Sequence, residues 1–222
     1  MDRLIVAIDG PGGSGKSTVS RETGRRLGLP HLDTGAFYRA ATLLALERGI
    51  DPGDGPGLAA ALASADIRFE SGRTVLDGDD VSDEIRGEWV TAVVSTVSAN
   101  PEVRRIMVDR QRSWVADHGG SAVVEGRDIG TVVFPNAPVK VFLTARPDVR
   151  ARRRSAEEPQ GAEEALVAAE LARRDRFDST REISPLRPAA SAVEIDTSDM
   201  DVTQVVQRIV EMVRSSGAEP AT

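Results

Sequence analysis

The chain has 222 residues, 40% of them hydrophobic and 28% charged, a length that supports one well-buried core with small appended subdomains. A net charge of −7 argues against a partner that is a nucleic-acid polymer, and the absence of cysteine excludes disulfides and thiolate metal sites and suits a reducing cytoplasm. No apolar run reaches the roughly 18 residues of a membrane span, and the short run before Asp9 cannot form a signal-peptide core, so a cytoplasmic protein without membrane attachment is expected.

In chain order, "LIVAI" (4–8) is a continuous, β-branched apolar run, as in a strand buried on both faces of a parallel sheet. A glycine-rich loop follows, then a helix over "STVSRETGRRLGL" (17–29), ended near Gly28 and Pro30. A second helix is predicted over 36–49, and "DPGDGPG" (51–57) reads as a loop. Between 66 and 85 the texture changes to short alternating segments separated by "SGR" and "DGD", which predicts a small antiparallel sheet. Helices are expected over 88–99 and 101–119, the second with proline at its first position. Buried strands follow at 122–125 and 139–145, then two helical stretches split by "PQG" (159–161). A late strand at 192–197 and an amphipathic helix at 201–216 come last. The alternation of strands and helices implies an α/β parallel sheet, with an inserted lobe over about 50–90.

Gly10, Gly15, Lys16 and Ser17 satisfy G-x-x-x-x-G-K-[ST], and they stand between a strand and a helix, where that motif belongs. The glycines let backbone N–H groups turn inward to phosphate oxygens, and the helix N-terminus adds positive potential. Gly10, Pro11, Gly12, Gly13, Ser14, Gly15, Lys16, Ser17 and Thr18 are thus the expected cradle for ATP, Lys16 reaching the β and γ phosphates and Ser17 ligating Mg²⁺. The only histidines are His31 and His118, too few for a histidine metal cluster. Apart from Lys16 and Lys140 every basic residue is arginine, so single surface arginines carry little information and clusters more.

"HLDTGAFYR" (31–39) follows the first helix, where a P-loop kinase places its acceptor site. Arg127 and Asp128 in "VEGRDIGTVVFP" (124–135) should emerge at the C-terminal end of a buried strand, the sheet edge at which α/β ligands bind. Arg174, Asp178 and Arg181 share a helical face if the helix runs that far; on spacing alone they read as an i,i+4 ion pair on a solvated helix. On the residues alone, a kinase for another nucleoside monophosphate or small hydroxyl metabolite stays open, as does a non-catalytic ATP-binding regulator. A GTP switch lacks its N-K-x-D signature here, Lys140 being followed by "VFL".

"GPGGSGKST", "LDTGAFYR", "LDGDDVSDEIR", "VSANPEVR", "EGRDIGTVVFP" and "RRDRFDSTREISPL" occur in the order found in bacterial-type cytidylate kinases, which the chain resembles from residue 4 to about 213. The resemblance implies a P-loop NTPase fold within the nucleoside monophosphate kinase superfamily, with ATP and CMP or dCMP as substrates and Mg²⁺ as cofactor. It assigns the acceptor phosphate to Arg39, Arg127 and Arg181, whose guanidinium forks match paired phosphate oxygens. It assigns cytosine to Ser95, Arg104 and Asp128 with Thr34 in support, and the sugar to Arg174 and Asp178. A carboxylate at Asp128 would accept from the N4 amine of cytosine and face the O4 carbonyl of uracil unsatisfied. The family often has serine where Thr34 stands, and "RFDST" departs from close variants that carry more charge.

"ARPDVRARRRSAEEPQG" (145–161) gathers Arg146, Arg150, Arg153 and Arg154 within about 100° of one helical face. Glu157 and Glu158 could offset part of that charge, which would leave a self-neutralised surface helix. The family resemblance instead implies a short lid, about 150–162, in which Arg150 and Arg154 act on the transferring phosphoryl and Arg153 holds ATP. The expected organisation is therefore a core of 1–35 and 91–222, a nucleoside monophosphate (NMP)-binding lobe of 36–90 containing the antiparallel insert at 66–85, and a monomer.

Overall fold

The computed structural model describes residues 4–70, 72–157 and 163–217; the distal part of the expected lid, 158–162, with Glu158 and the "PQG" break, lies outside the described residues. The chain opens with β1 (Ile5–Asp9), α1 (Lys16–Leu27) and β2 (His31–Asp33). Then come α2 (Thr34–Glu47), α3 (Gly55–Ser64), β3 (Ile67–Glu70), β4 (Arg73–Leu76), β5 (Asp79–Asp80), α4 (Glu88–Ala99) and α5 (Pro101–Asp117). After these follow β6 (Ala122–Gly126), β7 (Val139–Thr144), α6 (Pro147–Glu157), α7 (Glu164–Thr180), β8 (Val193–Asp196) and α8 (Val202–Ser215). Two compact units result: Met1–His31 with Val115–Thr222, and Leu32–Trp114. Among the described residues no helix is long and apolar enough to cross a membrane.

The five-stranded sheet has the strand order β2-β6-β1-β7-β8. β1 pairs in parallel with both β6 and β7, which explains its uninterrupted burial: a central strand covered on both faces has no polar side to show. The loop leaving the C-terminal end of β1 therefore lies beside the ends of two neighbouring strands. One face of the sheet packs against α1 and α8 in a core of Leu4, Val6, Ile8, Val19, Val141, Leu143, Ile195, Val206 and Ile209, among others. α8 is seated by a reciprocal cap, Gln204 N donating to Asp201 Oδ1 while Asp201 N donates to Gln204 Oε1, each at 2.9 Å. It turns Val205, Val206, Ile209, Val210 and Val213 inward, and each is worth about 1.5–3 kcal/mol of apolar burial. A charged residue at Val206, which is fully buried, would break this seam.

In the second unit β3, β4 and β5 form the expected antiparallel sheet. Asp77 and Gly78, at φ 50° and 100°, supply the two left-handed residues of the β4–β5 turn. α2 packs against α4 and this sheet, and Trp114 meets Phe69 edge-on at 6.2 Å while donating Nε1–H to its carbonyl oxygen at 2.7 Å. The compact unit that holds these contacts is Leu32–Trp114. The expected loop at 51–57 gives way to α3 at Gly55, because Asp54 caps that helix by accepting from Gly57 N at 3.0 Å and Pro56 fits its first turn.

Candidate functional site

The loop between β1 and α1 is held in shape by its surroundings. A Cβ on Gly10 (φ 152°) would lie 2.2 Å from the Leu143 carbonyl oxygen of β7, and one on Gly13 (φ 72°) 2.8 Å from that of Arg150. Neither position can carry a side chain without moving backbone. α1 begins at Lys16 with no side-chain cap, so its first N–H groups face the loop, the arrangement that binds anions. Ser14 Oγ is buried in the loop without a hydrogen-bond partner. Pro11 and Gly12 turn carbonyls to the basic residues around them: Lys16 Nζ donates to Pro11 O at 2.7 Å and Arg150 Nη1 to Gly12 O at 3.1 Å. Burial, then the neighbouring Arg127 charge, lower the Lys16 pKa to about 7 against an opposing pull from Glu125.

Ser17 donates its hydroxyl hydrogen to Glu125 Oε2 at 2.9 Å. Glu125 comes from β6, level with Ile8 of β1, and is 2% exposed; its other oxygen, Oε1, lies 2.9 Å from His31 Nε2. With the hydrogen committed to the carboxylate, the Ser17 lone pairs remain for a cation, and the hard-oxygen pair Ser17–Glu125 fits Mg²⁺. Sequence reasoning missed Glu125, although an acidic residue closing an apolar strand was a usable signal. Thr18 is exposed on the first turn of α1.

Arg127 leaves the end of β6 and bridges two elements: Nη1 donates to Gly10 O at 2.6 Å, and Nε lies 3.3 Å from Asp178 Oδ2 on α7. Arg174 Nε approaches the same oxygen at 4.0 Å. Asp178 is 3% exposed, so the pair that spacing alone assigns to a solvated helix face is instead a buried carboxylate between two guanidinium groups. Arg181 caps the C-terminus of α7 and donates Nε–H to Ser184 O. Asp128, 4% exposed, precedes a π-type turn over Ile129–Val133. That turn is pinned by a second residue the sequence did not reveal: Asp9 accepts from Ile129 N and Gly130 N, each at 2.8 Å. Burial raises the Asp9 pKa to about 6, with the two N–H groups pulling the other way.

Among the described residues the charge of the basic helix α6 is shared with carboxylates from outside it: Arg146, just before it, pairs with Asp199, Arg150 with Asp175, and Arg154 with Glu157, at 2.9 Å. Arg153 donates to both oxygens of Thr197, whose Oγ1 lies 3.0 Å from Ser14 O, tying α6 to the loop.

In the second unit Thr34 is buried at the start of α2, behind the Asp33 cap. Arg39 Nη1 donates to Ile85 O at 3.0 Å and Thr91 Oγ1 at 2.9 Å. Ser95 and Arg104 are linked through Ser98, whose Oγ donates to Ser95 O at 3.1 Å and whose carbonyl accepts from Arg104 Nη1 at 3.1 Å. The Arg104 guanidinium also lies over the Tyr38 ring, 5.4 Å from its centroid.

The cytidylate kinase family model matches residues 6–215. A cytidylate kinase from Mycobacterium avium (strain 104) is 50% identical over 95% of this chain and 95% of its own length. One from Mycobacterium leprae (strain Br4923) is 50% identical over 98% of this chain and 99% of its own. Among solved structures, the Thermus thermophilus protein TT1252 superposes with a TM-score of 0.50 at 20% identity, covering 98% of this chain and 100% of that one, a likeness of fold. With a phosphate loop, a carboxylate behind its serine and Arg127–Asp128 delivered to the same sheet edge, the chain belongs to the cytidylate kinase family.

Proposed function

We propose that this protein transfers the γ-phosphoryl group of ATP to CMP or dCMP, releasing ADP and CDP or dCDP. The observation that carries this reading is Arg127, which touches the phosphate loop at Gly10 and the α7 carboxylate Asp178 at once. A guanidinium there can face both the donor phosphates and the acceptor phosphate. In the reaction an acceptor phosphate oxygen attacks the γ phosphorus, the bond from that phosphorus to the β–γ bridging oxygen breaks, and ADP leaves. No covalent enzyme intermediate is needed, because alignment and charge stabilisation supply most of the rate.

Lys16 and the backbone of residues 10–18 would hold the triphosphate, and Ser17 with Glu125 behind it would hold Mg²⁺. When bound, the cation neutralises charge on the β and γ phosphate oxygens. Arg39, Arg127 and Arg181 grip the acceptor phosphate, and Ser95, Arg104 and Asp128, supported by Thr34, read the base. Arg174 and Asp178 serve the sugar. Arg150, Arg153 and Arg154 would form the basic face of a lid; for Arg150 to reach phosphate it must leave Gly12 and Asp175. Closure would exclude water, the competing nucleophile. We place this monomeric enzyme in the cytoplasm, acting on free nucleotides rather than on nucleic-acid polymer or membrane.

The test is ADP release with ATP and Mg²⁺ against CMP, dCMP, UMP, AMP and shikimate. CMP and dCMP should support turnover and shikimate none. ATP binding with no acceptor-dependent turnover would replace the enzyme by a regulator.

A further inference from the structure

Glu125 is gripped from two sides: Ser17 Oγ, on α1, occupies Oε2 and His31 Nε2, on β2, stands at Oε1, both at 2.9 Å. The terminal torsion of a glutamate is soft, so a single partner would leave the carboxylate free to pivot. Two partners on different secondary-structure elements stop that pivot. The tautomer of His31 that carries its hydrogen on Nε2 donates to Oε1. At 2% exposure, Glu125 cannot replace a lost donor with bulk water, and Lys16 is a positive charge acting on it.

We propose that His31 is a positioning residue for the cation site. It fixes the Glu125 carboxylate so that Oε2 keeps the Ser17 hydroxyl hydrogen and the serine lone pairs stay directed to the cation. Without the imidazole, Glu125 turns toward Lys16, the Ser17 hydrogen loses its acceptor, and the cation loses an oriented ligand. The inference rests on the reading of Ser17 as the cation-binding hydroxyl. Removing such an outer partner typically weakens metal binding about 10–100-fold.

The experiment measures ADP binding by calorimetry across a Mg²⁺ series, and in EDTA, for the full chain and three variants. His31→Phe keeps the ring and removes the donor, His31→Gln restores an N–H of similar reach, and His31→Asn carries one too short to arrive. The expected result is a Mg²⁺ concentration for half-maximal enhancement of ADP affinity raised about 10-fold or more in His31→Phe. His31→Asn should match it, giving the same comparison should the phenylalanine variant not fold, and His31→Gln should return to within about 3-fold of the parent. ADP affinity in EDTA should be the same in all four proteins. An unchanged Mg²⁺ requirement in Phe and Asn variants overturns the role of His31, as does an equal loss of ADP affinity in EDTA. A parent protein whose ADP affinity ignores Mg²⁺ overturns the reading of Ser17 itself, a separate failure.

Discussion

Replacing Asp9 by alanine should separate its two effects on the fold, because they act with opposite sign. Its carboxylate takes the Ile129 and Gly130 N–H groups, both at 2.8 Å in a buried place, and stranding each donor costs about 1–3 kcal/mol. Against that, burial raises its pKa from 3.8 to about 6, so holding the ionised form inside costs about 3 kcal/mol. The folded state binds the extra proton between pH 3.8 and about 6, so the contribution of Asp9 is full below that window and is lost as pH rises through it. Asp9→Ala should therefore be about 2–3 kcal/mol more destabilised relative to the parent at pH 4 than at pH 7.5. Denaturant unfolding of both proteins at four pH values measures that gap, and groups common to both cancel. Activity at pH 7.5 should fall in any case, since the turn that follows Arg127 and Asp128 has lost its anchor. A stability gap that stays constant with pH would refute the reasoning.

Three further outcomes are expected. The Lys16 pKa, lowered from 10.5 to about 7, means the unfolded state binds more protons in that window and parent stability rises with pH through it. Lys16→Met should therefore stabilise the ligand-free protein at pH 6 by about 2–5 kcal/mol, an advantage that melting curves should show vanishing toward pH 10, with turnover abolished. Arg154→Ala should lower kcat by about 10³-fold or more with little change in either KM, as for a charge felt only in the transition state; equal losses in kcat and binding would indicate a ground-state role. Asp178→Ala leaves the half-buried Arg127 and Arg174 without their shared carboxylate, so calorimetric unfolding should show a loss of about 1.5–3 kcal/mol.

Long apolar strands were legible in the sequence because burial on both faces leaves a continuous run, as in β1 and β7. The phosphate loop was legible because its glycines answer to local backbone demands. β2 was not: His31–Asp33 is three residues, and it is a strand by virtue of its place beside β6. α3 hid behind Asp54 and Pro56, which signal a turn and a helix start equally well. Glu125 and Asp9 were missed for a shared reason. Their roles come from strand register, which sets Ile8 level with Glu125 and Asp9 level with Gly126. An acidic residue closing an apolar strand marks each position, but which groups it meets is set by pairing between strands far apart in the chain. The Arg174–Asp178 spacing was visible, but the third member, Arg127, joins from a distant strand and turns a surface pair into a buried one.

The central claim is that a carboxylate at Asp128 senses the amine of cytosine, and its most direct measurement is the ratio of kcat/KM for CMP to that for UMP, in the parent and in Asp128→Asn. The account predicts a parent ratio of at least about 10, from an acceptor facing the uracil carbonyl, and a ratio falling toward one in the variant, whose amide can donate to that carbonyl. A parent enzyme that uses both nucleotides equally, or an Asp128→Asn protein with undiminished preference for CMP, would contradict it.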